Sequence, residues 1–340
     1  VRTPFGHFSK RALVAGGLRL SGVGALLRRL APWRGVLVLS YHRIGEASKL
    51  DTARSLVSAT AQSLDEQLRF LARHCEVIDP TELGPELLTQ RGRRVLITFD
   101  DGYRDLYEAA YPVLQANRVR AAMFLCSGFI DGFADAWWDE VAWILHHSPL
   151  RVLPAGPWSA EPLALDEQSI EHSIFEATRR CWELSPQETA ELLEALATAS
   201  GAGRRPTDDS AEDWITWEMA REMSASGHQI GAHTVNHLIL AKLSRERQHE
   251  EIAGSADRIE AELGERPRWF AYPVGVPGVF DEHSRAAAAK AGIELAFSNY
   301  GGLVTEDTFF ALDVKRMSAE MLRTPSLFAA TVTVPALFAR

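Results

Sequence analysis

The stretch Arg94-Val-Leu-Ile-Thr-Phe-Asp-Asp-Gly-Tyr103 (RVLITFDDGY) decides the reading of this chain. Its first six residues form a short apolar, β-branched run, the pattern of a buried strand, and the run stops at two adjacent carboxylates and a glycine. Burying one unpaired carboxylate costs several kcal/mol, and two side by side also repel. Asp100 and Asp101 therefore need a cation or solvent, or else Asp101 caps a helix that starts after Gly102. Both readings fit a tight turn at Gly102.

Downstream, Tyr103 to Ala116 reads as a helix and Val119 to Cys126 as another strand. Upstream, Gly35 to Ser40 (GVLVLS) is a buried strand that delivers Tyr41 and His42 at its end, and Ser63 to Arg73 is a helix with a Ser cap. Strand, helix, strand with short links implies parallel pairing and an α/β architecture. From Asp131 to about Asp213 strand signals vanish and tryptophans 137, 138, 143 and 182 appear among amphipathic stretches, the mark of a mostly helical insertion. The rhythm then resumes with a helix at Thr216 to Ser226, a strand at His228 to Ala232, a long helix at Ser244 to Leu263, and strands at Arg268 to Tyr272 and Glu294 to Ser298 flanking a helix near Asp281 to Ala291. Chemistry gathered at strand ends suggests a barrel-like sheet. The domain reading is a basic arm (1–34), a barrel (35–325) interrupted by 131–213, and a tail (326–340).

The chain has 340 residues, 46% hydrophobic, with a formal net charge of -9, which argues against a nucleic-acid binder because phosphate neutralisation needs a clustered basic face. Cys75, Cys126 and Cys181 are too few and too scattered for a disulfide framework or a cysteine metal site. No stretch approaches the about 18 apolar residues of a spanning helix. The arm is unusual: no Asp or Glu occurs before Glu46, while Lys10, Arg11, Arg19, Arg28, Arg29 and Arg34 punctuate apolar residues. The pattern does not match a signal peptide, which has a continuous apolar middle. It suits peripheral contact with an anionic membrane surface, and the plainer reading is a surface helix packed on the domain. The expected location is cytoplasmic or peripheral on the cytoplasmic membrane face.

Two further strand ends carry ligand-capable groups: His233-Thr-Val-Asn-His237 and Tyr272-Pro-Val-Gly275. Histidines four apart share a face if the turn is helical, so both imidazoles reach one ion. Alone they read as well as polar loop residues, because zinc needs a third ligand, which the aspartate pair offers.

Taken together and in this order, TFDDGY (98–103), SGHQIGAHTVNH (226–237) and FAYPVG (270–275) resemble the polysaccharide deacetylase, or NodB-homology, family, carbohydrate esterase family 4. The resemblance covers about Val36 to Ser318. It implies a distorted (β/α) barrel of the NodB deacetylase type with a helical insertion, and a divalent metal, usually zinc, held by Asp101, His233 and His237, with Asp100 as general base. Zinc with three protein ligands keeps a position for water and lowers its pKa to about 7. The Tyr103 amide is a candidate oxyanion donor.

Amide cleavage also needs an acid for the leaving nitrogen. Many members of the family place this histidine in a Leu-x-His motif near the C-terminus, but no histidine follows Glu294 here. His42, in LVLSYHRIG, resembles the early acid histidine of the exopolysaccharide poly-N-acetylglucosamine deacetylase branch, and barrel closure makes the relocation reasonable. The plainer reading is a strand-end histidine bonded to backbone. The family's third motif often carries a base-orienting arginine, absent here, for which Arg268 or Arg316 is the substitute, and Tyr272 is placed in the sugar groove. The expected activity is N-deacetylation of N-acetylhexosamine units in an exopolysaccharide or its precursor. An inactive carbohydrate-binding or membrane-associated scaffold and a hydrolase of another amide, such as the N-formyl group of a lipid-linked amino sugar, are the alternatives.

Overall fold

A computed structural model describes residues 14–17, 22–30, 32–206 and 211–338. The central sheet is built from β1 (Val36–Tyr41), β2 (Arg94–Phe99), β3 (Ala122–Leu125), β4 (Gln229–Ala232), β5 (Trp269–Ala271) and β6 (Leu295–Phe297), lying side by side in the order β6-β5-β4-β3-β2-β1 and all parallel. Every residue of β1 and β2 is buried, as expected of parallel strands covered on both faces. The helices expected from periodicity wrap the outside: α1 (Ala61–His74), α2 (Tyr111–Asn117), α3 (Trp217–Ala225), α4 (Arg245–Leu263) and α5 (Glu282–Lys290). Two details differ from the sequence reading. Thr60, not Ser63, caps α1, because its hydroxyl accepts the Ser63 amide, and α2 is preceded by a π-helical turn at Leu106–Ala110.

Side chains alternate across each strand with a period of two. Val36 and Val38 of β1 join Leu96 of β2, Phe124, Ala271 and Phe297 in an inner core, while Leu37, Leu39, Val95 and Ile97 join the outer core with the helices. The sheet curls, and the segment after β6 closes it: Val314 bridges Phe297 in parallel, and β7 (Met317–Ser318) pairs in parallel with Leu39 and Ser40 of β1. One segment thus touches both ends of the sheet, giving the expected distorted barrel. A short antiparallel strand at Leu303–Val304, which the sequence reading did not contain, also pairs with β1.

The insertion is mostly helical, with helices at Trp137–His146, Ile170–Cys181 and Pro186–Ser200, but it also holds an antiparallel pair, Val152–Leu153 with Leu163–Ala164. Of the N-terminal arm, residues 1–13, 18–21 and 31 lie outside the described residues. A helix at Val23–Leu30 docks on the barrel, where Arg28 donates to Thr333 and the Leu27 carbonyl accepts from Arg93. In the C-terminal stretch, Pro325–Thr333 is a helix whose Phe328 and Val332 enter the main core. Cys126 and Cys181 are buried free thiols, and Cys75 is half-buried.

Candidate active site

The parity of the strands builds the site. Leu96, Thr98 and Asp100 share one face of β2, and Val36, Val38, Ser40 and His42 share the corresponding face of β1. The last registered pair is Tyr41 with Phe99, so His42 and Asp100 face each other one step beyond it, where the Asp100 amide donates to the Tyr41 carbonyl at 2.9 Å. The parallel register of β7 on β1 extends the same parity to Arg316 and Ser318, and Glu320 follows in the 3-10 turn Ala319–Leu322.

Asp101 does not cap the following helix. With φ at 73° it swings its carboxylate toward the end of β4, where His233 Nε2 and His237 Nε2 lie 3.2 and 3.4 Å from its Oδ1. The three ligand atoms lie within 4.8 Å of one another, and all three residues are buried. His233 Nδ1 lies 2.8 Å from the Ala271 carbonyl, which only accepts, so this nitrogen is the donor. In neutral His233 the Nε2 lone pair then faces a carboxylate oxygen, an arrangement that calls for a cation between them. No hydrogen bond of ordinary geometry reaches Asp101 Oδ1. Ligand atoms on a tetrahedral zinc are about 3.3 Å apart, close to both separations, so the residues fit a divalent ion. Burial opposes ionisation of Asp101, yet the close His233 and His237 imidazoles and the charge of His42 hold its carboxyl far below the usual range.

Backbone strain concentrates here. Among the described residues, four of the five non-glycine positive φ values fall in the three motifs, at Asp101, Thr234 (65°), His237 (51°) and Val274 (59°). For β-branched Thr and Val this conformation is a genuine outlier, costing about 1–3 kcal/mol each, and such strain gathers at functional sites.

Beside the triad, Asp100 is gripped by Arg316, whose Nη1 and Nη2 donate to Oδ1 and Oδ2 at 2.7 Å each. Burial would raise the Asp100 pKa, but the Arg316 charge and hydrogen bonds outweigh it and keep the carboxyl below its ordinary value. Arg316 also donates to the Ser298 carbonyl and to Thr98, which fixes the guanidinium. Arg268, the other arginine considered, sits at the opposite end of β5 in an exposed pair with Glu294.

His42 Nε2 lies 3.8 Å from Asp100 Oδ2, and its Nδ1 is 3.0 Å from Glu320 Oε1. The ring is therefore paired with side chains rather than bonded to backbone. Burial lowers the His42 pKa, but the charge and hydrogen bond of Glu320, with Asp101 and Asp100, push it up to about 10. Glu320 is held in turn by the hydroxyls of Ser58 and Ser318. Sequence reasoning missed Glu320. It lies in a short 3-10 turn just after the two-residue β7, where the sequence carries no periodicity to read.

One expected substrate contact is corrected. Tyr272 is 1% exposed, its ring stacks on Phe280 at 4.0 Å and its hydroxyl donates to Leu312, so it belongs to the core and not to a groove. The Tyr103 side chain is likewise committed: its hydroxyl donates to buried Asp139 and accepts from Trp138 Nε1. Only the Tyr103 amide remains as an oxyanion candidate. Trp138 packs 4.3 Å from the His237 ring and Trp137 donates to the His237 carbonyl, so the first insertion helix buttresses a metal-ligand candidate.

The sequence profile of the polysaccharide deacetylases matches residues 88–147 and 185–296, half of the chain, including both aspartates and both histidines. The chain belongs to the polysaccharide deacetylase family. These enzymes hydrolyse the carbon–nitrogen bond of N-acetyl groups and generally use a divalent metal. YxkH of Bacillus subtilis (strain 168) is 22% identical over 289 residues, 84% of this chain and 72% of that protein. YlxY of the same organism is 36% identical over 58 residues, which span only 17% of this chain and 18% of YlxY. The solved structure of IcaB from Ammonifex degensii is alike in fold, with a TM-score of 0.56 and 20% identity, covering 89% of this chain and 98% of IcaB. The family match is interrupted between residues 148 and 184, inside the insertion.

Proposed function

We propose that the protein removes acetyl groups from N-acetylhexosamine units of an exopolysaccharide or its precursor, with zinc held by Asp101, His233 and His237. The observation that carries this reading is the 3.8 Å approach of His42 to Asp100 beside the triad. An acid and a base from separate strand ends then flank one acyl carbon, a constellation that an inactive scaffold has no need to keep. Family membership supports the N-acetyl substrate class, and the early position of His42 supports the exopolysaccharide assignment.

A bound divalent ion supplies Lewis acidity, acidifying a water and polarising the acyl oxygen. Asp100, ionised and oriented by Arg316, takes the proton of the attacking water. The Tyr103 amide donates to the developing oxyanion. His42, kept protonated by Glu320, gives its Nε2 proton to the departing nitrogen as the C–N bond breaks, leaving acetate and a free amine.

We further propose peripheral contact with an anionic membrane surface through residues 1–34. Val14, Val23 and Leu26 of the arm are exposed, as is Leu337 at the C-terminal end, and the arm carries no acidic residue. No helix among the described residues is long and apolar enough to cross a membrane.

The deciding experiment is acetate release from N-acetylglucosamine oligomers, with and without added zinc and chelator. Zinc-dependent release that chelation abolishes is expected, and no release from any oligomer length would overturn the substrate assignment.

A further inference from the structure

The turn between the two metal-site histidines has no regular secondary structure to hold it, and two of its residues adopt left-handed backbone: Thr234 at φ 65° and His237 at φ 51°. Conformations of this kind persist only where the surroundings over-determine them. On one side the chain after β3 does this. The Gly128 amide and the Cys126 thiol donate to the Val235 carbonyl at 2.8 and 3.0 Å, and a Cβ at Gly128 would lie 2.5 Å from that same oxygen. Within the turn, the Thr234 hydroxyl accepts the His237 amide at 2.9 Å.

The other side rests on one residue of α4. Glu251 is 1% exposed, and its carboxylate accepts the Asn236 amide at 2.8 Å on Oε2 and the Asn236 side-chain Nδ2 at 2.7 Å on Oε1. Its own carbonyl accepts the Val235 amide at 3.1 Å. Arg247, one helical turn earlier, places Nη2 3.2 Å from Oε1 and balances part of the charge. A carboxylate is costly to bury, yet both oxygens of this one accept from Asn236, one of the three residues between the histidines. The helix bearing it runs 19 residues between a Ser244 cap and the left-handed Gly264, so it offers a rigid mount.

We infer that Glu251 is the positioning residue of the metal site: from α4 it locks the turn Thr234-Val235-Asn236, sets the directions of the His233 and His237 rings, and thereby sets metal affinity. It touches neither ligand atom and acts only through the turn. This inference rests on the metal-site reading above, and the experiment separates the two.

Zinc affinity is measured by competition with a chromophoric chelator, and ligand geometry by the visible absorption of the cobalt-substituted protein, for wild type, Glu251→Ala, Glu251→Gln, His233→Ala and the exposed neighbour variant Glu250→Ala. Loss of partners of this kind lowers metal affinity about 10- to 100-fold. That loss is expected for Glu251→Ala, with an altered cobalt spectrum. Glu251→Gln, whose amide oxygen serves only one Asn236 donor, should fall between it and wild type, and Glu250→Ala should match wild type. In the metal-free protein, exchange of the Val235 and Asn236 amides should accelerate in Glu251→Ala. If His233→Ala keeps its zinc, the metal site itself is wrong and this inference falls with it. If His233→Ala loses zinc while Glu251→Ala or, where that variant does not fold, Glu251→Gln binds like wild type with an unchanged cobalt spectrum, the role of Glu251 alone is overturned.

Discussion

Arg316 meets both carboxylate oxygens of Asp100 at 2.7 Å, with neither residue more than 2% exposed. The arginine comes from the segment that closes the barrel and the aspartate from a central strand, so closure of the sheet and orientation of the candidate base are one event. A lysine cannot reproduce the fork, because its ammonium offers a single point of charge. Arg316→Lys should lower kcat by roughly 100-fold, the loss that misplacement of a reacting group by about 1 Å produces. Zinc content should stay unchanged. Steady-state kinetics with elemental analysis checks both, and a wild-type kcat would show that the fork is structural only.

The adjacent aspartates should separate cleanly. Asp100→Asn keeps the volume and leaves the cluster of Asp101, His233 and His237 intact, so metal should remain while turnover disappears. The double variant His233→Ala with His237→Ala should lose the metal along with activity. If the asparagine variant still turned over, the base would have to be sought elsewhere.

How much of this was legible beforehand follows from the range of each signal. Buried parallel strands advertise themselves as apolar runs, so β1 and β2 were found nearly to the residue, and the three motif ends with them. The cluster of Asp101, His233 and His237 was legible because its residues sit at those ends. Arg316 and Glu320 were hidden for a physical reason: they flank a two-residue strand with no periodicity to read, Arg316 just before it and Glu320 in the 3-10 turn after it, and only closure of the sheet brings them to Asp100 and His42. Glu251 was hidden similarly, as one acidic residue in a helix rich in them. Tyr272 misled because a polar tip beside a motif looks like a ligand contact, whereas its hydroxyl answers a backbone carbonyl inside the core.

The insertion should contribute to stability through Tyr103. Its hydroxyl gives buried Asp139 a donor and takes the Trp138 indole proton, while Asp139 also accepts the Ala53 amide. Tyr103→Phe removes both hydrogen bonds and leaves part of a buried carboxylate unsatisfied, which costs about 1–3 kcal/mol. Chemical denaturation should show that loss, and zinc stoichiometry should be retained because no ligand is touched.

Glu320 offers the sharpest test through pH. It is the main influence opposing the burial that lowers the His42 pKa, and the net result is a rise from 6.5 to about 10. Glu320→Gln should therefore pull the His42 pKa down. If His42 is the acid, activity declines as pH rises through that value, so the alkaline limb of kcat should move to lower pH in the variant. The charge of a bound metal acts against the imidazolium in both proteins and leaves the direction of the difference intact. The stability counterpart has a definite sign. A folded pKa raised above the unfolded one contributes stability that is complete below about pH 6.5 and is lost as pH climbs toward 10. Denaturation curves of wild type and Glu320→Gln should thus differ most near pH 6 and converge toward pH 10. An alkaline limb that stays in place in Glu320→Gln would remove His42 as the proton donor, whatever its distance from Asp100.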